Sequence, residues 1–264
     1  MYRIKECDLL ENTSVNVNLY IDYENEEFIK IYKDDFSKDL VERNINFLRG
    51  LDFLNPKIIS SFYDKSGQFI GYAQKLVKEA KTFKDGLTDE EISFEQKYKF
   101  ICDIFRHLRN LHNRGCFIGD IHLRNLLYDG ENGYIIDLDD IRFSEEDNLP
   151  LSEYYYINYE GDVEESSIFT DNMKTTISAL SLLYGFDFEE IVMMNSLNVF
   201  FSYLELFIGD SNLLNDIKNI FYNKEKVFYF DEVLKKHFSD KVLIKEEVWK
   251  IIELIQIKNM LMLY

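Results

Sequence analysis

The 264-residue chain sets 30 Lys and Arg against 48 Asp and Glu, a formal net charge of −18, and so lacks the cations that a general nucleic-acid binder uses to displace counterions from phosphate. An apolar share of 46% with 16% aromatics can bury a real core, which excludes wholesale disorder. At about 100–200 residues per domain the length fits one large domain or two modest lobes, and Cys7, Cys102 and Cys116 are too few and too scattered for a disulfide framework or a zinc site.

The first residues, MYRIKECDLLEN, hold no basic segment followed by an apolar run. Val15, Val17, Leu19, Ile21 and Tyr23 alternate with Asn16, Asn18, Tyr20 and Asp22, the period of a half-buried strand. Glu24–Glu26 reads as a turn and Glu27–Lys33 as a second strand, which together make a hairpin. Residues 36–51 place Leu40, Val41, Ile45, Leu48 and Leu51 near one helical face, and Lys57–Tyr63 and Gln68–Val77 read as further strands.

Beyond Thr88 the period changes. Thr88–Glu91 and Ser93–Gln96 both have capping-box patterns, and Phe94, Tyr98, Ile101, Phe105, Leu108 and Leu111 recur at steps of three and four. That predicts a long amphipathic helix stopping at Arg114–Gly115. Leu126–Tyr128 and Tyr134–Ile136 flank Asp129–Gly133, a hairpin-turn composition. From about residue 168 the spacing is helical nearly to the end. The uncharged stretch Ile191–Leu204 spans 14 residues, short of the roughly 18–20 that cross a bilayer. The expectation is an α+β protein, strand-rich first and helical after, reduced and cytoplasmic, with neither nucleic acid nor membrane as partner.

The densest polar constellation is Gly119-Asp120-Ile121-His122-Leu123-Arg124-Asn125, followed by Asp137-Leu138-Asp139-Asp140. An aspartate, an asparagine five positions on and an aspartate twelve further on, closing an apolar run, suit phosphoryl transfer. One carboxylate can orient and deprotonate a hydroxyl, while an amide oxygen and a second carboxylate hold Mg²⁺ against nucleotide phosphates. His122 reads as a loop-holding hydrogen-bonder rather than a base.

On these residues the chain resembles the protein kinase-like superfamily. Asp120–Asn125 keeps the catalytic-loop spacing, and Asp137 falls at the metal-binding Asp of D-F-G. Leu111-His-Asn-Arg-Gly115 is similar to the helix end before that loop, and Asp171–Gly185 to the helix whose leading Asp braces it. The resemblance covers roughly residues 10–190. It implies a two-lobed fold, with residues 1–76 as a nucleotide-covering antiparallel sheet plus one helix and residues 77–264 as a mostly helical lobe. It implies ATP and Mg²⁺ as cofactors, Asp120 as catalytic residue, and Asn125 and Asp137 as metal ligands. Lys30, centred in its apolar strand with Phe28 and Tyr32 on its face, is favoured over Lys33 as the phosphate-contacting lysine. Lys75 and Val77, just past Gln74, would meet adenine through the backbone. The glutamate that usually partners the lysine is left open: Glu42 lies in the right helix, but the apolar pattern of Phe47, Leu48 and Leu51 places Asn44 there.

Three departures stand out. The expected glycine-rich loop reads Leu10-Glu-Asn-Thr-Ser-Val-Asn-Val17, with Thr13 or Ser14 to help at phosphate. Phe28 is bulky where the family roofs the adenine with a small residue. Ile118–Gly119 replaces the His-Arg before the catalytic Asp, removing the receiver for an activation-loop phosphate. Between Asp137 and Asp171, Tyr154, Tyr155, Tyr156 and Tyr159 lie among Glu153, Glu160, Asp162, Glu164 and Glu165, an acidic platform for a basic peptide or a cationic small molecule, or a solvated loop. Three functions compete: a Ser/Thr protein kinase, a small-molecule kinase whose G-D-x-H-x-x-N is similar to that of aminoglycoside and choline phosphotransferases, and a non-catalytic pseudokinase binding module. The apolar face of Ile251–Tyr264 is given no role.

Overall fold

The computed structural model describes residues 8–10, 16–33, 38–143, 167–194 and 196–238. Residues 11–15 of the loop that replaces the glycine-rich turn, the acidic tyrosine segment and Ile251–Tyr264 lie outside the described residues. Five antiparallel strands form the first sheet: β1 (Asp8–Leu9), β2 (Val17–Asp22), β3 (Glu27–Tyr32), β4 (Ile58–Tyr63) and β5 (Phe69–Lys75), in the order β1-β2-β3-β5-β4. The β2–β3 hairpin forms as the alternation predicts. Its turn is held by the Asp22 carboxylate, which accepts from the Asn25 backbone N–H at 2.9 Å. Lys30 sits mid-strand, opposite Leu19 on one side and Tyr72 on the other.

Helix α1 (Lys38–Arg49) packs Val41, Ile45 and Leu48 against the sheet, the i, i+4, i+7 stripe of an amphipathic helix. Asn44 lies on the same face and is fully buried, a polar side chain that has to find partners there. Strands β3 and β5 approach closely where Gly71 faces Ile31. A Cβ at position 71 would lie 2.1 Å from the Lys30 carbonyl oxygen.

The connection to the helical part corrects one expectation. No helix begins at Thr88. Strand β6 (Lys81–Thr82) leads directly into a short helix α2 (Phe83–Gly86), capped reciprocally by Thr82 and Asp85. Asp89 instead accepts from Lys81 Nζ at 2.7 Å and Tyr128 OH at 2.9 Å. Asp89 Oδ1 also accepts the Glu91 backbone N–H at 3.1 Å, so the segment is held as a turn by charge-assisted bonds in place of a helix start. The second box forms as predicted: Ser93 and Gln96 cap α3 (Phe94–His112). Phe100, Ile101, Ile104, Phe105, Leu108 and Leu111 of α3 are buried, whereas Phe94 and Tyr98 are only partly covered.

Strand β7 (Cys116–Phe117) pairs with β10 (Arg142–Phe143); β6 joins β8 (Leu126–Tyr128) and β9 (Gly133–Ile135) in a three-stranded sheet. The β8–β9 turn is fastened by Asp129 Oδ1, which accepts the Glu131 and Asn132 backbone N–H groups at 2.9 and 2.8 Å. Five helices follow: α4 (Ile168–Tyr184), α5 (Phe188–Met194), α6 (Leu197–Phe207), α7 (Ser211–Tyr222) and α8 (Phe230–Phe238). Helix α4 is buried along its length and ends at Gly185, whose φ of +63° only glycine adopts without strain. The result is an α+β chain: an antiparallel amino-terminal sheet, a helical carboxy-terminal part, and one apolar core running between them. Among the described residues no helix is long and apolar enough to cross a membrane.

Since the contact at Gly71 is with backbone, which cannot move aside without breaking the β3–β5 ladder, Gly71→Ala is expected to lower unfolding free energy by about 1–3 kcal/mol. Urea denaturation, with the midpoint shifted and the slope unchanged, checks this.

Candidate functional site

The loop 118–125 between β7 and β8 is held from outside by α4 and α5. Asp171, in the first turn of α4, accepts the Ile118 and Gly119 backbone N–H groups at 2.7 and 2.8 Å. The same carboxylate meets His112 Nε2 at 3.1 Å, and His112 Nδ1 meets Tyr229 OH at 3.0 Å. Lys174, nearly one turn on, donates to the Gly119 carbonyl at 2.6 Å. At the far end of the loop Glu189 accepts from Leu123 N–H at 2.8 Å and from Ser178 Oγ at 2.5 Å. Both loop ends are thus fastened by acids, Asp171 fully and Glu189 partly buried, receiving backbone N–H groups that a short irregular segment cannot satisfy itself.

Within the loop Asn125 Nδ2 donates to the Asp120 backbone carbonyl at 3.1 Å and to its Oδ2 at 3.3 Å. The amide oxygen therefore faces away from Asp120. His122 Nδ1 accepts from Arg124 N–H at 3.2 Å, which leaves the proton of the neutral ring on Nε2, 3.8 Å from Asp120 Oδ1. Burial, with Arg124 and Lys174 nearby, pushes the His122 imidazolium down to about 4, so the ring is neutral at pH 7.

Asn125 also joins the hairpin that follows. Its carbonyl accepts Ile136 N–H at 3.0 Å, which brings Asp137 alongside. Asp137 lies in the left-handed region, at φ 62° and ψ 45°, and opens a 3-10 turn over Leu138–Asp140. There Lys30 crosses from β3. Its ammonium meets Asp137 Oδ1 at 2.5 Å and both oxygens of Asp139, at 2.9 and 2.8 Å. Tyr32 OH donates to Asp139 Oδ2, and Tyr72 OH reaches Oδ1 at 3.4 Å. Asn44 Nδ2 donates to the carbonyls of Asp139 and Ile141, at 2.7 and 2.8 Å.

Burial alone would raise the Asp139 carboxyl, but Lys30 and the hydrogen bonds it receives hold it below the ordinary carboxylate range. Burial would likewise lower the Lys30 ammonium, yet the Asp139 carboxylate, with Asp137 beside it, keeps it well above its ordinary value. Asp137 moves the other way: partial burial and the neighbouring Asp139 charge push it up from the ordinary carboxylate range.

Asp120 and Asn125 touch directly, Asn125 is stitched to the residue before Asp137, and Lys30 meets Asp137. Lys33 is exposed past the end of β3. Of the two helix candidates, Asn44 faces this cluster, while Glu42 hydrogen-bonds Tyr63. Lys75 and Val77 stand apart from it. The Lys75 and Leu76 N–H groups are consumed by the Lys57 and Glu26 carbonyls at 2.8 and 2.7 Å. Among the described residues the Val77 N–H has no such partner. A cavity with room for about one water lies behind the cluster, bounded by Ile45, Leu48, Tyr72, Gln74, Leu138 and Asp139.

Asp139, Tyr32, Tyr72, Lys174 and Glu189 were not singled out as site residues from the sequence. The run Asp137-Leu138-Asp139-Asp140 was the available signal for Asp139: three acids in four positions at the end of a buried strand require a cation nearby. Among the described residues no group of three or more His, Cys, Asp or Glu side chains could hold a metal ion. The Asn125 amide oxygen and the Asp137 carboxylate, 42% exposed, offer two hard oxygen donors. That donor set suits Mg²⁺, which completes its shell with water and ligand oxygens. The chain matches no protein-family model and no curated protein.

Burial, only partly offset by the Ser178 and Leu123 hydrogen bonds, raises the Glu189 carboxyl from 4.5 to about 7. Between those values the folded protein keeps a proton that the unfolded chain has released, so stability falls as pH rises through that window. Glu189→Gln is expected to flatten this fall, seen as a smaller loss of unfolding free energy from about pH 5 to about pH 8 than in the wild type. Parallel urea-denaturation profiles for the two proteins would refute it.

Proposed function

We propose that the chain is an ATP-dependent, Mg²⁺-assisted phosphotransferase of two-lobed, protein kinase-like architecture, working in the cytoplasm on a hydroxyl acceptor. The observation that carries this reading is the meeting of Lys30 with Asp137 at 2.5 Å, next to the Asp120–Asn125 pair. One cation, one acid reachable from solvent, one amide oxygen and one further acid are the parts phosphoryl transfer asks for, since the chemistry is mostly positioning and charge stabilisation.

In this reading residues 1–76 cover the nucleotide and residues 77–264 carry the acids. Lys30 directs its ammonium at phosphate oxygens. Asn125 and Asp137 would hold Mg²⁺, which neutralises phosphate charge and templates the nucleotide when bound. Asp120 accepts the hydroxyl proton of the acceptor, its carboxylate oriented by Asn125 Nδ2. His122 shapes the loop as a neutral hydrogen-bonding group. The backbone of Lys75 and Val77 meets the base, Val77 through an N–H that the sheet does not use. The net charge of −18 favours a basic acceptor, either a Ser/Thr-containing peptide or a cationic small molecule. The nearness of His122 to Asp120, within G-D-x-H-x-x-N, favours the small-molecule alternative.

Thermal-shift measurements with ATP, with and without Mg²⁺, paired with labelled-phosphate transfer to basic peptides and to a panel of amines and aminoglycosides, test the proposal. ATP is expected to raise the melting temperature in a Mg²⁺-dependent way, and Asp137→Ala to abolish the Mg²⁺ dependence. Asp120→Asn is expected to keep the shift while kcat falls by about 10²–10⁴-fold. With neither shift nor transfer, the proposal fails and a non-catalytic binding module takes its place.

A further inference from the structure

We infer that Asp139 is the positioning residue for Lys30, so that the carboxylate that fixes this lysine comes from the turn after β9 and not from helix α1. The inference rests on the phosphotransferase reading for its functional consequence, but its geometry is independent of it. A lysine ammonium has three donors. Two of the contacts made by Lys30 go to the two oxygens of Asp139 and the third goes to Asp137.

The two acids differ in what they can give up. The Asp137 side chain is 42% exposed and that of Asp139 only 6%. Asp139 is further committed to Tyr32 OH and Tyr72 OH, and its own carbonyl to Asn44. Lys30 and Tyr32 on β3 and Tyr72 on β5 donate to its carboxylate, and Asn44 on α1 to its carbonyl, three elements packed together. A ligand anion arriving at Lys30 can displace Asp137, which solvent already reaches. It cannot displace Asp139 without stripping a buried carboxylate of its donors and breaking the Tyr32 and Tyr72 hydrogen bonds to it, which is far more costly. Lys30 therefore keeps two contacts and its position while its third donor turns to phosphate. Asn44 completes the arrangement. The helix side chain facing the cluster grips the backbone at Asp139 and Ile141, so α1 fixes the turn, and the turn fixes the lysine.

The experiment has two arms. In the first, without nucleotide, the rate at which a small acylating reagent modifies Lys30 is followed by mass spectrometry, with exposed Lys33 as internal reference. Asp139→Asn is expected to speed modification of Lys30 about tenfold or more, as expected from loss of charge-assisted hydrogen bonds. Asp137→Asn is expected to leave Lys30 protected. Equal or greater unmasking by Asp137→Asn overturns the inference, and because Asp137 is partly exposed that variant decides the matter even where Asp139→Asn fails to fold.

In the second arm, Mg²⁺-ATP affinity and the separate kcat and KM are measured for Lys30→Met, Asp139→Asn and the double variant. Losses that do not add, borne mainly by KM, support the assignment; additive losses overturn it. Absence of nucleotide binding by the wild type, with the acylation pattern intact, removes the phosphotransferase reading while the pairing of Lys30 with Asp139 stands.

Discussion

A single ammonium held by two carboxylates from a distant turn is the constraint around which this molecule is organised. Lys30 is 107 residues from Asp137 and 109 from Asp139, so the ion cluster ties the first sheet to a turn far along the chain. Burying such groups is favourable only when nearly every donor and acceptor is used. Lys30, Tyr32, Tyr72 and Asn44 supply the donors; the carboxylates and two backbone carbonyls accept. The sheet, the one helix packed on it and the turn after β9 are thereby fixed relative to each other by polar geometry. The apolar core presses them together without choosing a register.

The loop that carries Asp120 is held by the same kind of interaction with the signs reversed. Its backbone N–H groups are the donors, and Asp171 and Glu189 from two successive helices are the acceptors. Lys174 adds the complementary contact to the Gly119 carbonyl. Helix α4 is buried on every side, which makes it a rigid base: a hydrogen bond to a residue on a helix that cannot shift is a positional restraint as well as a stabilising contact. Asp120 and Asn125 therefore occupy a loop in chain order but a fixed frame in space.

Much of this was legible from residue order. The β2–β3 hairpin, the Ser93–Gln96 cap and the β8–β9 hairpin all follow from local rules, because alternation, capping chemistry and turn composition act over fewer than ten residues. So did the contact of Asp120 with Asn125 and the backbone pairing of Asn125 with the residue before Asp137, because spacing along a loop and a hairpin constrains distance. Thr88 misled for a physical reason: a capping pattern acts only if tertiary contacts leave its segment free, and Lys81 and Tyr128, brought near by the sheet, donate to Asp89 and hold the segment in a turn. Asn44 could be placed on the buried face by periodicity, but no local rule says that it takes backbone carbonyls. The partner of Lys30 was illegible because the family pattern directs the search to helix α1, at Glu42 or Asn44, whereas the tertiary turn after β9 supplies Asp139.

That choice is made by one backbone conformation. In an extended strand residues two apart project to the same side, and Asp137 and Asp139 would then share one environment and repel each other at equal exposure. The left-handed φ of 62° at Asp137, at about 1–2 kcal/mol above the usual right-handed basin and more tolerable for Asp than for most side chains, turns the chain just past the end of β9. The 3-10 turn that follows gives the two acids different exposure while both stay on the same lysine. One carboxylate is delivered into the sheet, where Tyr32, Tyr72 and Lys30 consume it; the other stays at the mouth, in contact with the same lysine but 42% open. Two chemically identical side chains thus acquire different tasks from one dihedral angle. A strand continuing through Asp137 would remove that difference even with every residue of the cluster still present.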